Sequence, residues 1–238
     1  MTSLAWIAAN LIIAAGSVLQ GTIGFGLALF AAPLLALINP ALAPGPLLIC
    51  NLALTGLMAR REWGQVAVNE VGYALGGRLV GIGIAVWIMS QLSPKGIDIL
   101  FGGIVLAAVV MVAAGLSFRL NPGTLIGAGI VSGVMGTATA IGGPPMAIVY
   151  QREKGPKLRG TLSLYFTIGA VLSAIGLALK GRFGVADIWM GLLLCPGVVA
   201  GYAGSHRFLP LIDRKGIRPA VLVLSGFSAV FLILRQVL

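Results

Sequence analysis

Twice in this chain, glycine, hydroxyl and amide side chains crowd into a stretch that is otherwise apolar. Gln20, Gly21, Thr22, Gly24 and Gly26, with Phe25 between the last two, stand in QGTIGFGLALFAAPLL; Ser132, Gly136, Thr137, Thr139, Gly142 and Gly143 stand in SGVMGTATAIGGPPMAI. Amides and hydroxyls donate hydrogen bonds, and glycine lets a solute come close to the backbone. Glycine costs a helix about 1 kcal/mol relative to alanine and an interior proline about 3. Both stretches are therefore expected to break helical geometry, freeing N–H groups that, with the helix dipole, suit an anion. A third element is Arg78 in GYALGGRLVGIG, the one ionisable residue near the centre of an apolar segment. Its planar fork matches sulfonate, sulfite or carboxylate oxygens. The bland alternative is a structural partner, such as Glu70 two turns earlier or an interhelical carbonyl. Asn51 and its counterpart Ser163 are candidates to complete the shell.

These residues need a scaffold, and composition dictates which. Of 238 residues, 58% are hydrophobic and 9% charged, with mean hydropathy +1.04. Soluble domains carry about 25% charged residues, so this surface faces mostly lipid. Buried backbone in lipid must be satisfied within its own segment, and the apolar runs show no alternation of period two. An all-α polytopic membrane protein follows.

Eight apolar segments are legible: Leu4 to Ile38, Pro46 to Ala59, Val66 to Met89, Ile97 to Leu116, Leu125 to Tyr150, Leu158 to Leu179, Val185 to Leu209 and Ile217 to Val237. The first four resemble the last four. Gly21, Gly24 and Pro33 recur as Gly133, Gly136 and Pro145, 112 residues on (133 − 21); Gly64 and Lys95 recur as Gly184 and Lys215, 120 on (184 − 64). Residues 1–120 form one repeat and 121–238 the other, each opening on a broken or hairpin-like segment. Paired interruptions in duplicated halves mark transport sites in secondary transporters; packing of small residues between helices is the competing explanation.

The formal charge is +10. The basic residues sit in short clusters between apolar segments, with no aromatic interleaving, as topology signals do and nucleic-acid surfaces do not. If both broken segments fold back, Arg60, Arg61, Arg119, the Arg152 to Arg159 cluster and the Arg207 to Arg218 cluster share one side, with Lys95, Lys180, Arg182 and Arg235 on the other. The repeats are then inverted and both termini lie outside the cytoplasm. If both segments cross, the repeats are parallel and the basic loops alternate badly. The first arrangement is favoured. The N-terminus lacks a basic region ahead of its apolar run and is expected to be retained.

The remaining polar residues suggest less. Asp98, Asp187 and His206 stand near segment ends and are expected to be interfacial; Cys50 and Cys195 lie in apolar stretches and form no disulfide framework. No enzyme motif occurs, and GTIGFG only approaches a dinucleotide fingerprint, in the wrong context. No cofactor or metal is expected.

The two quoted stretches resemble the duplicated signature of the sulfite exporter TauE/SafE family of membrane permeases, with GFGLAL in place of a more glycine-rich pattern and AAPLL keeping the proline. The resemblance spans the chain. It implies a secondary permease of the bacterial inner membrane for small sulfur-containing or carboxylate anions, such as sulfite or sulfoacetate. The expected partners are that anion, the bilayer, a coupling proton or ion, and a second copy of the chain as homodimer; nucleic acid is not among them. An uncoupled anion channel or uniporter, and a non-transporting membrane scaffold, are the alternatives.

Overall fold

The structure, a computed structural model, describes residues 2–153 and 155–215. The eighth apolar segment and the His206 side chain lie outside the described residues. Among the described residues nine α-helices follow in order: α1 (Ser3–Ile23), α2 (Leu27–Ile38), α3 (Gly45–Arg61), α4 (Val68–Gln91), α5 (Pro94–Ala113), α6 (Pro122–Thr139), α7 (Gly143–Val149), α8 (Gly155–Ala178) and α9 (Val185–Lys215). No strand occurs among the described residues. Six stretches among the described residues are long and apolar enough to cross a membrane: α1, Pro40–Arg61 including α3, α4, Lys95–Ala113 of α5, α8, and Val185–Ser205 of α9. Helix starts follow their sequence signals. Thr2, Ser93 and Asn121 accept from backbone N–H groups of the first turns of α1, α5 and α6, with Pro94 and Pro122 next in line.

Both glycine-rich stretches reverse the chain. A Cβ on Gly16 would stand 3.3 Å from Leu27 Cα, whereas eleven residues of straight helix span about 16 Å. In the second half, a Cβ on Gly136 would stand 3.4 Å from Gly142 Cα. Gly24 and Gly26 make the first reversal at φ 97° and 129°, values closed to most side chains. Ala140 opens the second at φ 63°, paying a left-handed penalty that glycine would not. Each hairpin therefore has a long arm, α1 or α6, and a short one, α2 or α7.

The long arms pack on helices of the other half. Added Cβ atoms on Gly77 and Gly81 of α4 would collide with the Ile126 and Ile130 carbonyls of α6; on Gly197 and Gly201 of α9 they would collide with the Asn10 and Ala14 carbonyls of α1. Gly77 and Gly197 are 120 residues apart, as are Gly81 and Gly201. Small residues let these backbones touch, which is how helices associate where lipid removes the hydrophobic drive. Between these joints α3 lies against α8.

Polar contacts collect at the two ends. At one, Arg159 pairs with Glu62 (3.3 Å), Lys157 with Glu70 (3.3 Å), Arg61 stands over the Tyr202 ring (5.5 Å to the centroid), and Phe118 N–H donates to the Ile148 carbonyl (3.3 Å). This end gathers Arg60, Arg61, Arg119, Arg152 and Arg159. At the other, Arg182 donates to the Met89 carbonyl (2.8 Å) and Asp187 packs on Gly45.

Candidate functional site

The two reversals meet. A cavity of about 20 Å³ lies between their tips, room for a water-sized group. Gln20, Phe25, Gly26, Asn51, Gly142 and Gly143 line it. Asn51 stands midway along the stretch Pro40–Arg61, while Gly24 of the first tip lies against Arg159, near the start of α8.

Gln20 stitches the first break. Its Oε1 accepts from Leu27 N–H, the first of α2, and its Nε2 donates to Asn51 Oδ1, both at 2.9 Å. The next two residues, Ala28 and Leu29, also line the cavity. Their N–H groups precede the first N–H bonded within the helix, that of Phe30, which donates to Gly26 O.

Arg78 lies directly behind the second tip. It is 2% exposed. Its Nη1 reaches Ser132 Oγ and its Nη2 reaches Ser173 Oγ, each at 3.4 Å, long for a hydrogen bond. Nε has no partner, and the Tyr165 ring lies 5.0 Å from the guanidinium carbon. Ser132 in turn donates to the Gly142 carbonyl at 2.6 Å. The Gly142 backbone thus separates the guanidinium from the cavity: a Cβ there would stand 2.9 Å from Ser132 Oγ and 3.3 Å from Arg78 Nη1. Gly169 leaves the space that the guanidinium occupies.

The expected alternative partner is elsewhere. Glu70 accepts from Tyr150 OH at 2.8 Å and pairs with Lys157, because α4 carries it to the basic end while Arg78 stays at mid-helix. Among the described residues no carboxylate pairs with Arg78.

Other residues singled out from the sequence do not reach the cavity. Gly21 packs against Ser205 of α9 and Gly24 against Arg159 and Leu162 of α8, both in helix contacts. Thr22 spends its proton on the Val18 and Leu19 carbonyls. Thr139 donates to Met135 O and accepts from Ile141 N–H, closing the end of α6. Thr137 meets Ser173 at 2.9 Å and Gly136 borders Arg78 Nη2, so both belong to the arginine's surroundings. Ser163 is buried without a hydroxyl partner, and it does not line the cavity. Sequence reasoning missed Tyr165, Gly169 and Ser173. Their spacing of four puts them on one stripe of α8, the signal that was available. Phe166 was missed as well, and it lines the cavity.

Among the described residues, six helices of membrane length and two reversed hairpins whose tips meet define a polytopic membrane protein. A model of the sulfite exporter TauE/SafE family matches residues 9–232, and the chain belongs to that family, whose members are transporters rather than enzymes. No curated protein and no solved structure matches the chain.

Proposed function

We propose that the protein carries a small oxyanion, sulfite or an organosulfonate such as sulfoacetate, across the bacterial inner membrane by alternating access around the two hairpin tips. The observation that carries this reading is the buried Arg78. A mid-helix arginine costs about 2.5–3.5 kcal/mol on translocon scales, and this one has two long contacts to neutral hydroxyls and an idle Nε. A buried donor left idle asks for an explanation, and an anion arriving at Gly142 supplies the missing counter-charge. The first-turn N–H groups of α2 and the Asn51 amide offer donors on the cavity side. With about 20 Å³ open, the tips must part for an oxyanion to enter.

The matching joints of α4 with α6 and of α9 with α1 support an inverted two-repeat architecture divided near residue 120. The gathering of basic residues at one end supports a cytoplasmic placement of that end, with both termini opposite. Energy comes from a proton or ion gradient, since no nucleotide-binding motif is present in the sequence.

Purified protein in liposomes tests the reading. Uptake of sulfite or sulfoacetate should saturate, should follow an imposed proton or ion gradient, and should vanish in Arg78→Met. Conduction without saturation or coupling would make the protein a channel or uniporter; no flux of any of these anions would leave a scaffold.

A further inference from the structure

A second cavity, of about 60 Å³, opens at the basic end, walled by Met111 of α5, by Leu116 beyond its end, and by Tyr150 and Glu153 after α7. It shares two lining residues with the central cavity, Phe25 and Pro144. Pro144 is buried in the first turn of α7 and fixed by its ring. Phe25 is only half-buried and stands between Gly24 and Gly26, both in the left-handed region. The link is anchored on either side by the same residue: Gly24 N–H donates to Gln20 O and Leu27 N–H to Gln20 Oε1. Movement is therefore confined to three residues, two of them glycine. The Phe25 side chain rests on the opposite tip, where a Cβ on Gly143 would stand 3.1 Å from its Cβ and Cδ2.

We infer that Phe25 is the gate residue between the central cavity and the vestibule at the basic end, its ring swinging into the vestibule to open the path. The purpose of the gate rests on the transport reading above; the partition itself is geometric. The cavity at the opposite end, about 60 Å³ and walled by Ala43, Asp98 and Phe101, shares no lining residue with the central one. Removing the ring therefore opens one side only.

Thiol labelling in sealed vesicles tests this. In a Cys50→Ala, Cys195→Ala background, Ala28→Cys places a reporter in the central cavity. A membrane-impermeant methanethiosulfonate reagent is then applied to each face in turn. With Phe25 present, labelling is slow from both faces. Phe25→Ala accelerates it several-fold, as removal of a lid residue should, and only from the face bearing Arg60, Arg61 and Arg159. Phe25→Leu, which keeps part of the ring's volume, gives an intermediate rate, and Gly143→Ala, whose methyl pushes the ring aside, moves the rate in the same direction. A second reporter, Ala43→Cys in the opposite cavity, keeps its rate. An unchanged rate at Ala28→Cys, a rise from both faces, or a parallel rise at Ala43→Cys overturns the gate. Labelling needs no substrate. A one-sided change in a protein that carries no anion keeps the gate and discards the transport reading; anion flux without that change discards the gate alone.

Discussion

The hydroxyls of Thr55 and Thr167 meet at 2.9 Å between α3 and α8, and the two residues stand 112 apart in sequence (167 − 55), the offset at which Gly21 recurs as Gly133. Each threonine also lies against the carbonyl four residues before it, Asn51 at 2.7 Å and Ser163 at 2.8 Å, and those two are again 112 apart. A residue meeting its own counterpart fits a two-fold relation between the halves, of which the inverted arrangement proposed above is one form. The expected outcome is topological. Thiols introduced by Arg152→Cys and Lys95→Cys label from opposite faces of the membrane, and Thr2→Cys labels with Lys95→Cys. Labelling of Lys95→Cys from the Arg152 face, opposite Thr2→Cys, would restore parallel repeats.

The joints between halves should be intolerant of a single methyl. Gly77→Ala and Gly197→Ala press Cβ atoms against the carbonyls of Ile126 and Asn10, and overpacking of this kind costs about 1–3 kcal/mol. Gly83 and Gly103, also helical, have open space at the same position. Alanine there is neutral, or stabilising by up to about 1 kcal/mol from helix propensity. Thermal unfolding in detergent separates the two pairs.

Arg78→Met should abolish saturable anion binding and leave a folded protein, since a long apolar side chain suits the site. Arg78→Lys keeps the charge and loses the fork, weakening binding. Because Glu70 is held by Tyr150 and Lys157, adding Glu70→Gln to Arg78→Met neither restores binding nor raises detergent stability. Gly169→Ala, which intrudes on the guanidinium without altering charge, should also weaken binding. Affinity measured for these four variants decides: normal affinity in a stable Arg78→Met removes the arginine from the site.

Gln20→Leu strips two buried groups of their partners, Leu27 N–H and Asn51 Oδ1. Each orphan costs about 1–3 kcal/mol. Combined with Asn51→Leu, the loss should be less than additive by about 0.5–3 kcal/mol, as for residues in direct contact. A full double-mutant cycle in detergent stability measures this; strict additivity would mean that the stitch is not formed.

Ala140→Gly is expected to stabilise. A left-handed alanine costs about 1–2 kcal/mol, and glycine gives back somewhat less through its freedom in the unfolded chain. A net gain of up to about 1 kcal/mol should appear as a raised unfolding temperature, and a lowered one would show the strain to be absent.

The sequence by itself determined the solvent, the helices and the positions of both breaks. Those are local or compositional properties: 9% charged residues leave a surface that must face mostly lipid, and clustered glycine and proline interrupt a helix wherever it packs. Repeat offsets and basic clusters were likewise countable. The destination of each polar side chain was not. Gly21 and Gly24 meet other helices while Gly26 and Gly142 meet the cavity, though all four look alike in sequence, because a glycine's role depends on which neighbour the rotation of its helix presents. Glu70 and Arg78 share a face of α4, yet eight residues of rise, about 12 Å, carry one to the charged end and leave the other among Ser132, Ser173 and Tyr165. Only the packing of α6 and α8 against α4 could decide that, since hydrogen bonds reach about 3 Å and the partners lie 54 and 95 residues away.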